Sequence, residues 1–368
     1  MGLVQRIDAP GVCPNYPGLI CHWTQAIEGW TLELRHLRAA FSGEGLPTAL
    51  EVATPVRHLL IQDAIVQNFP FGVDVHGCDG CSVEVRDAIF QAGALAHPTA
   101  ASLSTLHALR ITGHGSSIQI SNLRVIGYAV GLNVTGTTLD AADVVVEGCS
   151  TGVSLAMKES ATVRRIAVRH CENGLRMAAA ALDVGKAWVS DSAVGAVLIA
   201  TSTLVLQDVS VTRSSTQGLA ASSPEQHWTN VTLAEDSSTG AVIVGNRVDI
   251  VGSRFTSNQG LPGFTGQNGI GLATSTPVGT AFQVHGSVFE GNAAWGLLDL
   301  GSGSIDATGC YWGSPNGPQV RPVGSFQVPG QPGGDAVTPG VLYAPFLTAP
   351  PGPTTFSRTP SSDTSWPN

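Results

Sequence analysis

Gly131-Leu132-Asn133-Val134, Ala141-Ala142-Asp143, Gly152-Val153-Ser154-Leu155 and Val163-Arg164-Arg165 follow one another in one short stretch and state the same two phrases twice. The second phrase is an apolar residue, any residue, then a polar or small turn residue that opens a β-rich segment. Working outward from this stretch, it recurs eleven times, with turn residues Asp63, Asp87, Asn122, Asp143, Arg165, Lys186, Asp208, Asn230, Gly252, Gly286 and Gly309. Most neighbouring copies lie 21 to 24 positions apart, and two intervals are stretched to 35 and 34. A period near 22 is too short for two helices per repeat and suits one coil of a parallel β-solenoid. The expected fold is all-β, a solenoid of about eleven coils.

The first phrase is a glycine followed by apolar, variable, apolar, variable. It opens nine coils, at Gly72, Gly131, Gly152, Gly174, Gly195, Gly218, Gly240, Gly269 and Gly296; Leu50-Glu51-Val52 and Leu109-Arg110-Ile111 are the same strand without it. Glycine offers backbone freedom for a corner, and the alternation that follows points one side chain in and the next out. The extra residues of the long intervals fall in Gln91–Leu106 and around Asn258–Thr280, where inserted loops carry binding sites in regular scaffolds. Residues 1–47 are expected to cap the first coil, with Trp23, Trp30 and Leu32-Glu33-Leu34 suited to covering an open solenoid end. The solenoid is expected over residues 48–347. Residues 348–368, rich in Pro, Ser and Thr, are expected to form a linker or disordered tail.

Charged residues make up 12% of the 368 positions and the net charge is −9, with only two lysines, which argues against nucleic acid as the partner. No apolar run reaches the roughly 18 residues of a membrane span. The opening Met1-Gly2-Leu3-Val4 lacks the charged region and apolar stretch of a signal peptide. Seven cysteines fall as Cys13 and Cys21, Cys78-Asp79-Gly80-Cys81, Cys149 and Cys171 one coil apart, and Cys310. Stacked coils are about 4.8 Å apart, inside the Cα window of a disulfide. Three such pairs would fit an oxidising, extracellular or cell-surface setting; a buried free-thiol stack is the other reading of Cys149 and Cys171. His76 beside Cys78 and Cys81 lacks the second ligand pair that zinc needs, so neither metal nor cofactor is expected.

The repeat resembles the right-handed parallel β-helix proteins of the pectate-lyase-like superfamily. The likeness is sharpest at Cys310-Tyr311-Trp312-Gly313-Ser314-Pro315-Asn316-Gly317-Pro318, then Gly334-Asp335-Ala336-Val337 and Tyr343-Ala344-Pro345-Phe346-Leu347, which is similar to the closing segment of NosD-like repeat proteins. The resemblance implies a secreted, carbohydrate-binding coil and is silent on activity, because this fold hosts lyases, hydrolases, epimerases and inert spacers. Phe71-Gly72-Val73-Asp74-Val75-His76 is similar to a motif of mannuronan C5-epimerases, with Phe71 where that family has tyrosine. Carried over, it would put Asp74 and His76 at catalytic positions.

Outward positions of one strand stack into ladders across coils. The first ladder is expected to run Glu51, Asp74, Arg110, Asn133, Ser154, Arg176, Val197, Ala220, Val242, Gly271, Leu298. The second runs Ala53, His76, Thr112, Thr135, Ala156, Ala178, Ile199, Ser222, Val244 and Leu300. Glu51, Asp74, His76 and Arg110 thereby converge within three coils as catalytic candidates. Two carboxylates on adjacent coils would stand about 5 Å apart, near the separation of retaining glycosidases. Arg110 could neutralise a uronate carboxylate while His76 served as base in an elimination. Asn133, Arg176, Arg164, Arg165 and Lys186 are candidates for holding an acidic polysaccharide, unless flanking acids such as Asp143 and Asp183 neutralise the cations. The outward Val197, Val242 and Leu298 form an apolar strip. It should be covered by the insertion at Leu261-Pro262-Gly263-Phe264 or by a second copy in a homodimer. Two functions stay open: a polysaccharide lyase or hydrolase, and a non-catalytic surface, adhesion or scaffold module.

Overall fold

A computed structural model describes residues 4–8, 21–23, 31–40, 48–52, 56–92, 106–236, 238–259, 269–323 and 334–352, with no side-chain description for 4–8, 21–23 and 38–40. Its strands pair in parallel into a β-solenoid of about eleven turns, and the described residues form no helix. Each coil carries three strand segments, which stack on their counterparts into three sheets, here faces A, B and C. Face A holds Thr48–Val52, Phe71–Val75 and His107–Thr112, and continues through the first segments of the long strands that begin at Val130, Thr151, Asn173 and Val194. Faces B and C follow in each coil, as at 138–142 and 144–147. The strands Thr31–Arg35 and Val4–Asp8 carry the ladder of face B on toward the N terminus.

Every one of the eleven turn residues adopts the left-handed conformation, with φ between 52° and 69°. The corner from face B to face C is therefore a single αL residue, a region that Asp, Asn and Gly tolerate best. Arg165 and Lys186 take it as well. His36, with φ 56°, adds a corner one coil earlier, after Leu34-Arg35. Side chains at this corner stack outward and pair along the axis: Asn122 Nδ2 donates to Asp87 at 2.7 Å, and Asn230 Nδ2 to Asp208 at 2.6 Å.

The glycine column has a different cause from the one expected. None of Gly72, Gly131, Gly152, Gly174, Gly195, Gly218, Gly240 or Gly296 has positive φ, so no corner conformation selects them. Space does. A β-carbon at Gly131, Gly152 or Gly240 would lie 2.6 to 2.7 Å from the carbonyl oxygen of the next glycine in the column. Where glycine is missing, the column holds Ala49 and Ala108, the smallest side chains that carry a β-carbon. The register also corrects one coil: Val242 pairs with Ala273, so the column glycine is Gly271, not Gly269, and Ala273 replaces Gly271 in the outward ladder.

Opposite the glycines, at the corner from face C to face A, runs a buried column: Tyr128, Cys149, Cys171, Ser192, Ser214, Asp236, Asn258, Asn292 and finally Asp335. Its lower half is a polar spine. Asp236 Oδ1 accepts the Ser214 N–H at 2.7 Å, Asn258 Oδ1 the Asp236 N–H at 3.1 Å, and Asn292 Oδ1 the Asn258 N–H at 3.3 Å. Asp335 closes it by accepting the Asn292 N–H at 3.2 Å. These corner N–H groups point along the axis, where buried donors need an acceptor. Upstream, Cys149 and Cys171 turn their thiols to the carbonyls of Glu147 (3.6 Å) and Arg169 (3.3 Å) in their own coils. They are free thiols, which corrects the expectation of three bonded pairs. Cys78 and Cys81 do form a disulfide. Cys13 and the Cys21 side chain lie outside the described residues.

The C-terminal coils end in a parallel aromatic stack, Phe255 on Phe289 at 4.9 Å and Phe289 on Trp312 at 4.6 Å. Leu347 N donates to Cys310 O and Arg254 Nη2 to Pro351 O, so the last described segment doubles back over face C. The apolar strip of face A divides in two. Leu298, expected on its surface, is 5% exposed and packs with Ile270, Ala273, Trp295 and Ala336 of its own chain. The Arg321 guanidinium lies 4.8 Å over the Trp295 ring. Val197 and Val242 are half-buried, while Ile199 and Val244 remain 47% and 55% exposed. Phe264, the expected plug, lies outside the described residues.

Two outcomes follow for stability. Gly174→Ala should lower it by about 1–3 kcal/mol in urea unfolding, the usual penalty for overpacking, because Gly195 O lies against the new β-carbon. Burial also pushes the Asp236 carboxyl up to about 7 and that of Asp335 to about 6. The unfolded chain releases these protons near 3.8, so between about pH 4 and 7 the folded state binds more of them. Their contribution is full below about pH 4 and is lost as pH rises to about 7. Asp236→Asn keeps the acceptor and cannot ionise, so it should flatten that slope and raise the urea midpoint at pH 8.

Candidate functional site

On face A the strand Phe71–Val75 buries Val73 and Val75 and sends Asp74 outward. The same alternation turns out Glu51 from Thr48–Val52 and Arg110 from His107–Thr112. Register places Glu51 beside Asp74 and Asp74 beside Arg110, and the ladder continues through Asn133, Ser154, Arg176, Val197, Ala220 and Val242. His76 follows in the adjoining column, its N–H donated to Val52 O.

The four candidates meet. His76 Nε2 is 3.5 Å from Glu51 Oε1, and His76 Nδ1 is 3.7 Å from Asp74 Oδ1. Arg110 Nη1 stands 3.8 Å from Asp74 Oδ2. Asp74 is the most enclosed of the four, with 22% of its side chain exposed. These separations are ion-pair contacts longer than hydrogen bonds. A carboxylate thus sits between an imidazole and a guanidinium, with a second carboxylate on the neighbouring coil. That arrangement can take up a proton, hold an anion, or do both.

A fifth residue escaped the sequence pattern. His107 lies in the column beside the ladder, next to Phe71, whose ring it meets edge-on at 6.1 Å. It is buried, and its Nδ1 has no hydrogen-bond partner among the described residues. Burial lowers its pKa from the ordinary 6.5, the Arg110 charge lowers it further, and Asp74 opposes both. Burial and Arg110 thus bias this imidazole toward its neutral form. The signal was positional: His107 stands three residues before Arg110, as Phe71 does before Asp74, on the side of the column residue that the glycine-led phrase does not cover.

The basic candidates separate. Arg164, Arg165 and Lys186 gather near the corner between faces B and C, whereas Arg176 stands on face A in line with Asn133. Arg165 binds Asp143 through two nitrogens at 2.6 and 2.7 Å, and Arg164 pairs with Asp183. Neutralisation, the alternative weighed for these two, holds for both. Arg176 and Lys186 are exposed and make no ion pair among the described residues. No group of three or more His, Cys, Asp or Glu among the described residues is arranged to hold a metal ion. No described helix is long and apolar enough to cross a membrane.

Neither a protein-family model, nor a curated protein, nor a solved structure matches this chain.

The two neighbours of His107 pull its titration in opposite directions. Ring-proton NMR should find its pKa below 6.5 in the wild type, lower still in Asp74→Asn, and higher in Arg110→Ala. An unchanged value in both variants would mean that neither charge reaches the ring.

Proposed function

We propose that this solenoid is an extracellular or surface protein that binds an acidic polysaccharide along the N-terminal half of face A and cleaves it at Asp74. One observation carries the proposal: Glu51, Asp74, His76 and Arg110 stand within 3.5 to 3.8 Å contacts on one exposed sheet face. The polar ladder from Glu51 to Arg176 spans six coils, about 24 Å at the spacing of parallel strands, long enough for several sugar units. Arg176 supplies a cation with no ion pair among the described residues at its far end, and Asn133 and Ser154 supply neutral hydrogen-bonding groups between.

Two chemistries suit the site. In an elimination, Arg110 neutralises the uronate carboxylate and an imidazole, His76 or His107, takes the adjacent carbon-bound proton; the C–O bond to the leaving sugar breaks as the double bond forms, and the departing oxygen takes a proton from water. In a hydrolysis, Glu51 and Asp74 share the acid and nucleophile or base roles, as carboxylates about 5 Å apart do in retaining enzymes. The Cys78–Cys81 disulfide supports an oxidising setting. The likeness to pectate-lyase-like β-helices favours the same substrate class.

A scaffold function is favoured by a different observation: His76, Arg110, Arg164 and Arg165 all pair with carboxylates of the same chain. Such exposed pairs contribute little stability, yet they leave a self-neutralised surface.

A panel of uronate-containing and neutral polysaccharides separates the two. Cleavage of one of them by the wild type, with a loss of at least about 10²-fold in Asp74→Asn, is the outcome expected of a general acid–base group. An unsaturated product end marks elimination, and a new reducing end alone marks hydrolysis. Binding without cleavage, unchanged in a variant carrying both Asp74→Asn and His76→Ala, would leave the scaffold function standing.

A further inference from the structure

The upper half of the buried column contains two thiols in direct succession. Cys149 and Cys171 are bracketed by paired residues, Glu147 with Arg169 before them and Thr151 with Asn173 after them. The hydrogen bonds Gly148 N to Arg169 O (3.0 Å) and Glu172 N to Cys149 O (3.1 Å) hold the two corners in register. One cysteine is therefore stacked on the other at the spacing of neighbouring parallel strands, about 4.8 Å, inside the 4.4–6.8 Å Cα window of a disulfide. Each thiol donates to a carbonyl of its own coil, Cys149 to Glu147 O at 3.6 Å and Cys171 to Arg169 O at 3.3 Å, so no cross-coil contact with another residue has to be broken to join the sulfurs. The column neighbours on either side, Tyr128 and Ser192, are uncharged and offer no competing thiol.

We propose that Cys149 and Cys171 are a latent cross-coil disulfide site, closed by a small-molecule disulfide oxidant when the corner opens locally. The described structure holds its reduced form. The Cys78–Cys81 bond in the same chain shows a thiol pair of this protein in oxidised form, and since Cys149 and Cys171 are buried, an oxidant reaches them only when their corner opens.

With glutathione disulfide as oxidant, the thiolate of Cys171 attacks one of its sulfurs. A mixed disulfide forms on Cys171 and one glutathione thiolate leaves. Cys149 then gives its proton to solvent and attacks Sγ of Cys171, expelling the second glutathione thiolate. The protein gives up two hydrogens, and one glutathione disulfide becomes two thiols. Cys171 suits the first role because the neighbouring Cys149 thiol favours its ionised form, against the opposing effect of burial. The closed bond would tie together the two coils whose next strands carry Ser154 and Arg176 on face A.

The test uses the full folded chain, incubated with glutathione disulfide at increasing denaturant below the unfolding transition. The expected result is a mass loss of two hydrogens, a proteolytic peptide linking Cys149 to Cys171, and a higher unfolding midpoint than an identically treated Cys149→Ser variant. Persistent glutathione adducts, linkage of either cysteine to any other cysteine or to another chain, or two unmodified thiols under conditions where Cys310 reacts would each overturn the proposal.

Discussion

The close approach of one coil to the next governs this molecule. Parallel ladders on three faces hold successive coils at a single strand spacing, and at Gly131, Gly152 and Gly240 that spacing leaves no room for a β-carbon between one backbone and the next carbonyl oxygen. Stacking converts a repeat in the sequence into columns in space. Each column then has its own physical requirement: no side chain at the glycines, an αL-tolerant residue at the corner between faces B and C, and an acceptor for the axial N–H at the corner between faces C and A.

The polar spine shows how a requirement can change along one column. Near its upper end Cys149, Cys171 and Ser192 satisfy only themselves, each donating to the carbonyl two residues back. From Asp236 onward the side chain also accepts from the coil above. The change adds hydrogen bonds between coils but buries carboxylates, at Asp236 and Asp335, whose charged forms are disfavoured there. Satisfied axial donors come with either Asp or Asn in this column, and the pH-dependent core comes only with Asp.

Face A uses the same stacking for a different end. No single coil carries more than a fragment of the candidate site. Glu51 comes from one strand, Asp74 and His76 from the next, and His107 and Arg110 from a third. Their contacts exist because the coils are in register, and a slip of one residue would turn the whole set inward. A chain of sugars laid along such a ladder would meet one coil after another.

The sequence by itself determined what depends on local backbone chemistry and on a period of two. All eleven turn residues were legible because αL corners favour a narrow set of residues at a fixed offset from an apolar one. The ladder from Glu51 to Arg176 was legible because strand alternation fixes which side chains point out. The tertiary structure decided everything set by what a neighbouring coil or a returning segment brings. Gly131 and its column are glycines because of an oxygen one coil away, not because of their own φ. His107 joins the site because it packs against Phe71 and feels Arg110 and Asp74. Leu298 is buried because Ala336, distant in sequence, comes to cover it. Cys149 and Cys171 stack as the repeat implies, yet they are free thiols, each turned to a carbonyl of its own coil. Such outcomes depend on contacts between distant positions, and a local pattern read one coil at a time does not contain them.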